Sequence, residues 1–170
     1  MPIPDTHIKF KYSASLDDTI FLKPLAFIKT DQMKFEINWR NKSLENLEKD
    51  FWNEPEFPSH LVITCYKLRK KQLNNFDIED LRIMIGQNIG LNFLIPIAIE
   101  KLNQNILAEG DFYEGDLLKS VLTSETDYWK IEKENWLLIC NLFKENESKL
   151  DYTFKDLFKS YRIFEKINDQ

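Results

Sequence analysis

The sequence predicts a mainly α fold: a single helical domain over residues 1–170, opened by a small antiparallel β-element in residues 1–42 and helical from 43 onward. Three observations carry this. The hydrophobic period changes from two to helical near residue 42. Only four glycines and six prolines occur in 170 residues, too few for a turn-rich all-β architecture. Hydrophobic residues make 43% and charged residues 30%, a globular balance, with 13 Phe and 4 Trp pointing to an aromatic core.

In residues 1–42, Ile8, Phe10 and Tyr12 alternate with Lys9 and Lys11, and Met33, Phe35, Ile37 and Trp39 alternate with Lys34, Glu36 and Asn38. Both runs fit half-buried strands. Ile20 to Ile28 is apolar but broken by Lys23 and Pro24, which suits an edge strand, and Asp17-Asp18 suits a turn. Ser43 is placed to cap a short helix to about Trp52, ended by Pro55 and Pro58.

Pro58 suits the opening of a second helix, with Leu61, Thr64, Cys65 and Leu68 on one face. Its basic end, Arg69-Lys70-Lys71, complements the helix dipole. Asp77 reads as the N-cap of Ile78 to about Gln87, with Ile78, Leu81, Met84 and Ile85 inward. Gly90 to Asn103 reads as a buried helix that Pro96 starts or kinks. Asp116 is expected to cap a short helix to Leu122. Residues 125–146 carry the longest helical pattern, and Thr153 is expected to cap a last helix with Phe154, Leu157, Phe158, Tyr161 and Phe164 in a stripe.

Several functions are disfavoured at once. A net charge of −5 argues against general nucleic-acid binding, which needs a basic footprint. No run approaches the roughly 18 apolar residues of a membrane span, and the start Met-Pro-Ile-Pro-Asp lacks a signal-peptide pattern. Cys65 and Cys140 each lie in an apolar run and read as reduced, buried thiols of a cytoplasmic protein. With two histidines, His7 and His60, a His-rich zinc site is excluded; no nucleophile elbow, P-loop or dinucleotide fingerprint is present.

Three constellations remain. Residues 109–116 pack Glu109, Asp111, Glu114 and Asp116 with Gly110 and Gly115 into eight positions, open to capping, to recognition of a cationic partner, or to a divalent cation, although the EF-hand spacing is absent. The stretch from Glu45 to Glu56 holds Glu45, Glu48, Asp50, Glu54 and Glu56 against Lys49 alone, which is a solvated helix face or a surface that steers a cationic protein. Gln87 and Asn88 stand between Gly86 and Gly90 in an apolar setting, where buried amides would stitch loops together, and Arg82 is placed to pair with an acid of the 109–116 loop.

The run Leu68-Arg69-Lys70-Lys71, the stretch Glu79-Asp80-Leu81-Arg82-Ile83-Met84-Ile85-Gly86-Gln87-Asn88-Ile89-Gly90-Leu91, then Leu94 to Glu100, Leu107 to Asp111 and Gly115 to Leu118, resemble the contact-dependent growth inhibition immunity proteins over roughly residues 44–122. The family pattern carries proline where this chain has Gln72, Ile106 and Glu114, a change in turn rigidity. The resemblance implies a non-enzymatic protein without cofactor, bound to the C-terminal toxin domain delivered by a neighbouring cell and occluding its active site. Such toxins are often nucleases, cationic around the substrate groove, so the partner is a protein and neither nucleic acid nor membrane.

A motif shared by a whole family cannot separate one toxin from another. Arg82, Gly86, Gln87, Asn88, Gly90, Gly110, Gly115 and Asp116 are therefore expected to be scaffold. The expected toxin-binding residues are Glu45, Glu48, Asp50, Glu54, Glu56, Asp111, Tyr113 and Glu114, with the N-terminal β-element as their rival. Two other readings stand beside this one: a small-molecule or divalent-metal domain using Arg82, Gln87, Asn88 and the 109–116 loop, and a hydrolase using Cys65 and His60.

Overall fold

The computed structural model describes residues 37–56, 58–150 and 152–168. The chain divides into two units, Met1–Ile37 and Asn38–Gln170, and the elements below all belong to the second. Among the described residues there are eight α-helices: α1 (Leu44–Glu48), α2 (His60–Lys70), α3 (Ile78–Gly86), α4 (Leu91–Gln104), α5 (Asp116–Leu122), α6 (Thr126–Ile131), α7 (Lys133–Glu145) and α8 (Lys155–Phe164). Short 3₁₀ turns join several of them, and the described residues contain no strand, only an isolated antiparallel bridge between Ser43 and Gln72. The mainly α expectation holds for these residues. The expected strands around Ile8–Tyr12 and Ile20–Ile28 lie outside them.

The described end of the third expected strand is not extended. Residues 37–38 form a turn and Trp39–Asn41 a 3₁₀ turn. Trp39 is buried with its ring 6.1 Å from that of Phe93 in α4, and Arg40 donates to Glu100 of the same helix, so tertiary contacts override the alternation.

Helix α1 stops at Glu48, four residues short of the expected Trp52, because Lys49 turns left-handed at φ 54°. Ser43 precedes α1 without capping it; its Oγ accepts from Asn46 Nδ2 at 3.0 Å. At the start of α2 the cap is Ser59, whose hydroxyl accepts from the Val62 N–H at 3.3 Å. Asp77 caps α3 and Asp80 reciprocates, closing a capping box.

Helix α4 continues through Pro96, which lies inside it, and its apolar residues Leu91, Leu94, Ile95, Ile97, Ala98, Ile99 and Leu102 are all buried. Pro96 removes the bond to the carbonyl of Asn92, an exposed first-turn residue that water can satisfy. Ahead of α4, Gly90 is left-handed at φ 68°, and a Cβ there would drive into the side chain of Leu44. Only glycine meets both demands.

The long helix expected over 125–146 is two helices broken at Glu132 (φ −93°, ψ 60°). The break lets both apolar faces reach the core: Tyr128 and Trp129 from α6, and Ile139, Leu142 and Phe143 from α7. Asn135 ties the two, donating to the Tyr128 hydroxyl at 2.9 Å. Before α8, Thr153 does not cap; it lies inside a 3₁₀ turn, Tyr152–Phe154. Leu157, Tyr161 and Phe164 then face inward, with Tyr161 stacked on Phe143 at 3.9 Å.

The aromatic centre is Trp129, fully buried, edge-on to Tyr128 (4.9 Å) and Phe164 (4.8 Å), its indole N–H donating to Ser124 Oγ at 2.9 Å. Helix α3 packs along α5, α5 on α8, and α4 on α7. In this arrangement residues 109–114 of the connection before α5 lie at the surface, beside Glu79 of α3 and the start of α8.

Candidate binding surface on the 109–115 loop

Glu79 and Arg82 lie one turn apart on α3, the spacing at which helix side chains meet. They form a two-pronged pair: Arg82 Nε donates to Glu79 Oε2 at 2.6 Å and Nη2 to Oε1 at 2.5 Å. Arg82 also reaches Asp116, 3.7 Å away at the start of α5. Asp116 is 2% exposed. It does not cap α5; its carboxylate turns back and accepts the N–H groups of Gly110 (2.7 Å) and Phe112 (3.2 Å). Glu79 Oε2 accepts the N–H of Asp111 at 2.9 Å. Three successive loop amides therefore end on two carboxylates that one guanidinium holds together.

The consequences are electrostatic and geometric. Hydrogen bonds from Arg82 hold the Glu79 carboxyl below the usual carboxylate range, against a smaller opposing effect of burial. Glu79 in turn raises Arg82. Gly110 is tight against the pair, since a Cβ there would meet the Glu79 carboxylate. The Phe112 ring lies 4.3 Å from the guanidinium carbon, a cation–π contact that completes the cage. Above this base Phe112 (68% exposed) and Tyr113 (52%) stand at the surface, flanked by the exposed acids Glu109, Asp111 and Glu114.

The acidic stretch is arranged differently. Arg69, in the basic end expected to complement the dipole of this helix, is 3% exposed. It donates to Glu48 at 2.6 Å, to the Asp50 carboxylate at 3.2 Å and to the Asp50 carbonyl at 2.7 Å, with the Trp52 ring 4.3 Å above it. Its Nε has no partner. Glu48 and Asp50, although exposed, are therefore engaged by Arg69, beside the point where the chain leaves the helical path of α1. Glu45 and Glu54 act on Lys70, whose pKa is raised first by the Tyr66 hydroxyl and then by these acids. Glu54 and Glu56 remain exposed.

The Gln87–Asn88 pair departs from its expected burial. Both residues are exposed at the end of α3. Asn88, left-handed at φ 57°, still joins two loops, accepting the Glu125 N–H at 2.8 Å; Gln87 reaches only the Gly86 carbonyl at 3.4 Å. Gly86 ends α3, and Gly115 is left-handed at φ 84° just before α5. Sequence reading missed Glu79, Phe112, Arg69 and Trp52. The i, i+3 spacing of Glu79 and Arg82 was the available signal for the first; nothing local marks Arg69 as buried.

The other two chemistries find little support. Among the described residues no three His, Cys, Asp or Glu side chains gather as a metal site; Glu79 and Asp116 accept loop amides and pair with the guanidinium. Cys65 is buried, and burial pushes its thiol pKa up, which is the wrong direction for a nucleophile. Native Cys65 is expected to react with maleimide about 100-fold more slowly than a free thiol and to match it once unfolded. Equal rates in the native protein would restore the nucleophile.

The geometry is that of a helical scaffold presenting exposed aromatics and carboxylates on a loop whose amides are tied to two carboxylates. The family model of the CDI immunity proteins matches residues 46–139, more than half of the chain. The chain belongs to this family of toxin-neutralising, non-enzymatic proteins, whose members bind a cognate toxin domain. No curated protein and no solved structure gives a significant match. No helix among the described residues is long and apolar enough to cross a membrane.

Proposed function

We propose that this protein neutralises its cognate toxin in the cytoplasm by covering the active site of a cationic nuclease domain. The observation that carries the proposal is the 109–115 loop: two exposed aromatics among three exposed acids, held in one conformation by Glu79, Arg82 and Asp116. Aromatic anchors with little freedom left to lose are the usual centres of tight interfaces. Carboxylates around them suit a groove built to attract phosphates, competing with the substrate for the same cations. Asp111, Tyr113 and Glu114 form the centre of this interface. The exposed Glu54 and Glu56 and the half-buried Glu45 extend it, while Glu48 and Asp50 contribute mainly through their hold on Arg69.

The test is co-expression with the toxin C-terminal domain encoded immediately upstream. Growth rescue, a one-to-one complex and protection of added RNA or DNA from cleavage are the expected results. Rescue by a complex that leaves nucleic-acid cleavage intact would refute active-site occlusion. A toxin domain with no nuclease activity would refute the assignment of its class.

A further inference from the structure

An open groove of about 620 Å³ runs between the 109–114 loop and the turn leading into α8. Glu109, Phe112, Tyr113 and Glu114 line one wall; Thr153, Phe154 and Asp156 line the other, with buried Leu157 beneath. Three acids, Glu109, Glu114 and Asp156, line the groove with one cation, Lys119. Its Nζ is taken up by Ser160 Oγ at 2.6 Å and the Asp156 carbonyl at 3.3 Å, so it is held against α8. The groove is thus acidic at its rim and aromatic along its sides, the combination that suits a long cationic side chain. One wall lies within the residues matched by the family model and the other, 153–156, lies beyond residue 139.

We propose that this groove seats a lysine- or arginine-bearing segment of the toxin domain. The basic head lies among Glu109, Glu114 and Asp156, and its stem lies along Tyr113 and Phe154. The inference rests on the toxin-binding reading and adds to it the place of contact and the chemistry of the partner segment. The two walls together set which toxin fits, because the second wall comes from the part of the chain outside the shared match.

The test uses the full chain and the purified toxin domain, with association followed at low and high salt. The variant Glu109→Gln/Glu114→Gln/Asp156→Asn is compared with Glu134→Gln/Glu145→Gln/Glu147→Gln, which removes the same charge elsewhere. The groove variant is expected to weaken the complex about 100-fold and to flatten its salt dependence. The control is expected to stay within about threefold of the parent. Tyr113→Ala, with charge unchanged, is expected to cost about tenfold. Equal losses in the two triple variants, with Tyr113→Ala silent, would overturn the groove while leaving toxin binding intact. Failure of the parent chain to bind would overturn both readings.

Discussion

Replacing Arg82 by alanine is expected to destabilise the fold by about 3 kcal/mol at neutral pH, read from the urea unfolding midpoint. The variant would strand Asp116, 2% exposed, with no cation beside it, and would leave Glu79 facing it. Lysine in the same place restores the charge but neither the two-pronged geometry toward Glu79 nor the flat contact with Phe112, so Arg82→Lys is expected to recover less than half of the loss. The acid dependence supplies an independent readout. Because the folded pKa of Glu79 is lowered, its contribution is fully present above the unfolded carboxyl value and is lost as pH falls through the lower, folded one. The parent should therefore lose stability on acidification over that window, and Arg82→Ala should show a shallower slope there. An unchanged slope would mean that Arg82 does not hold Glu79 in solution.

Trp129→Ala is expected to cost about 4 kcal/mol, the upper range for truncating a fully buried aromatic. It removes two edge-on ring contacts and the donor to Ser124, and it opens a void where α6 meets the end of α8. Asn168, whose side chain donates to the Trp129 carbonyl at 2.9 Å, would lose its anchorage as that backbone relaxes. Trp129→Phe keeps most of the packing and forfeits the indole N–H, at about 1–2 kcal/mol. Chemical denaturation of both variants measures the difference. A loss below about 1 kcal/mol for alanine would contradict the burial of this ring.

The parts of the fold legible in the sequence are those where local signals agree with tertiary packing. Asp77 and Asp80 announce the start of α3, and the apolar run from Leu91 to Leu102 announces α4, because a capping box and a buried helix each leave a pattern within one segment. The family motif between residues 68 and 118 was equally readable, and the match over 46–139 includes it. The break at Glu132 was not, since neither glycine nor proline marks it; it exists because Trp129 and Ile139 must both turn inward. Arg69 shows the deeper difficulty. Its partners Glu48 and Asp50 stand about twenty positions earlier in a stretch without periodicity, so a buried guanidinium held by surface acids reads as two solvated charge runs. Of the candidate surface, the exposed acids and Tyr113 were visible as residue types, whereas the Glu79 support beneath them appears only when α3 and the loop are brought together.

The hydrogen bonds that shape the 109–115 loop run from main-chain amides to carboxylates outside its tip, so the identity of the tip side chains scarcely enters. The chain thereby separates the instructions for a loop's shape from the letters written on it. The side chains at 111, 113 and 114 take no part in these bonds, so substitutions there are expected to leave the loop's shape unchanged, and position 112 asks only for a ring to cover Arg82. Proline is barred at 111 and 112, where the N–H is spoken for. If the loop is the toxin contact proposed above, that separation would let its contact side chains change while the architecture stands still.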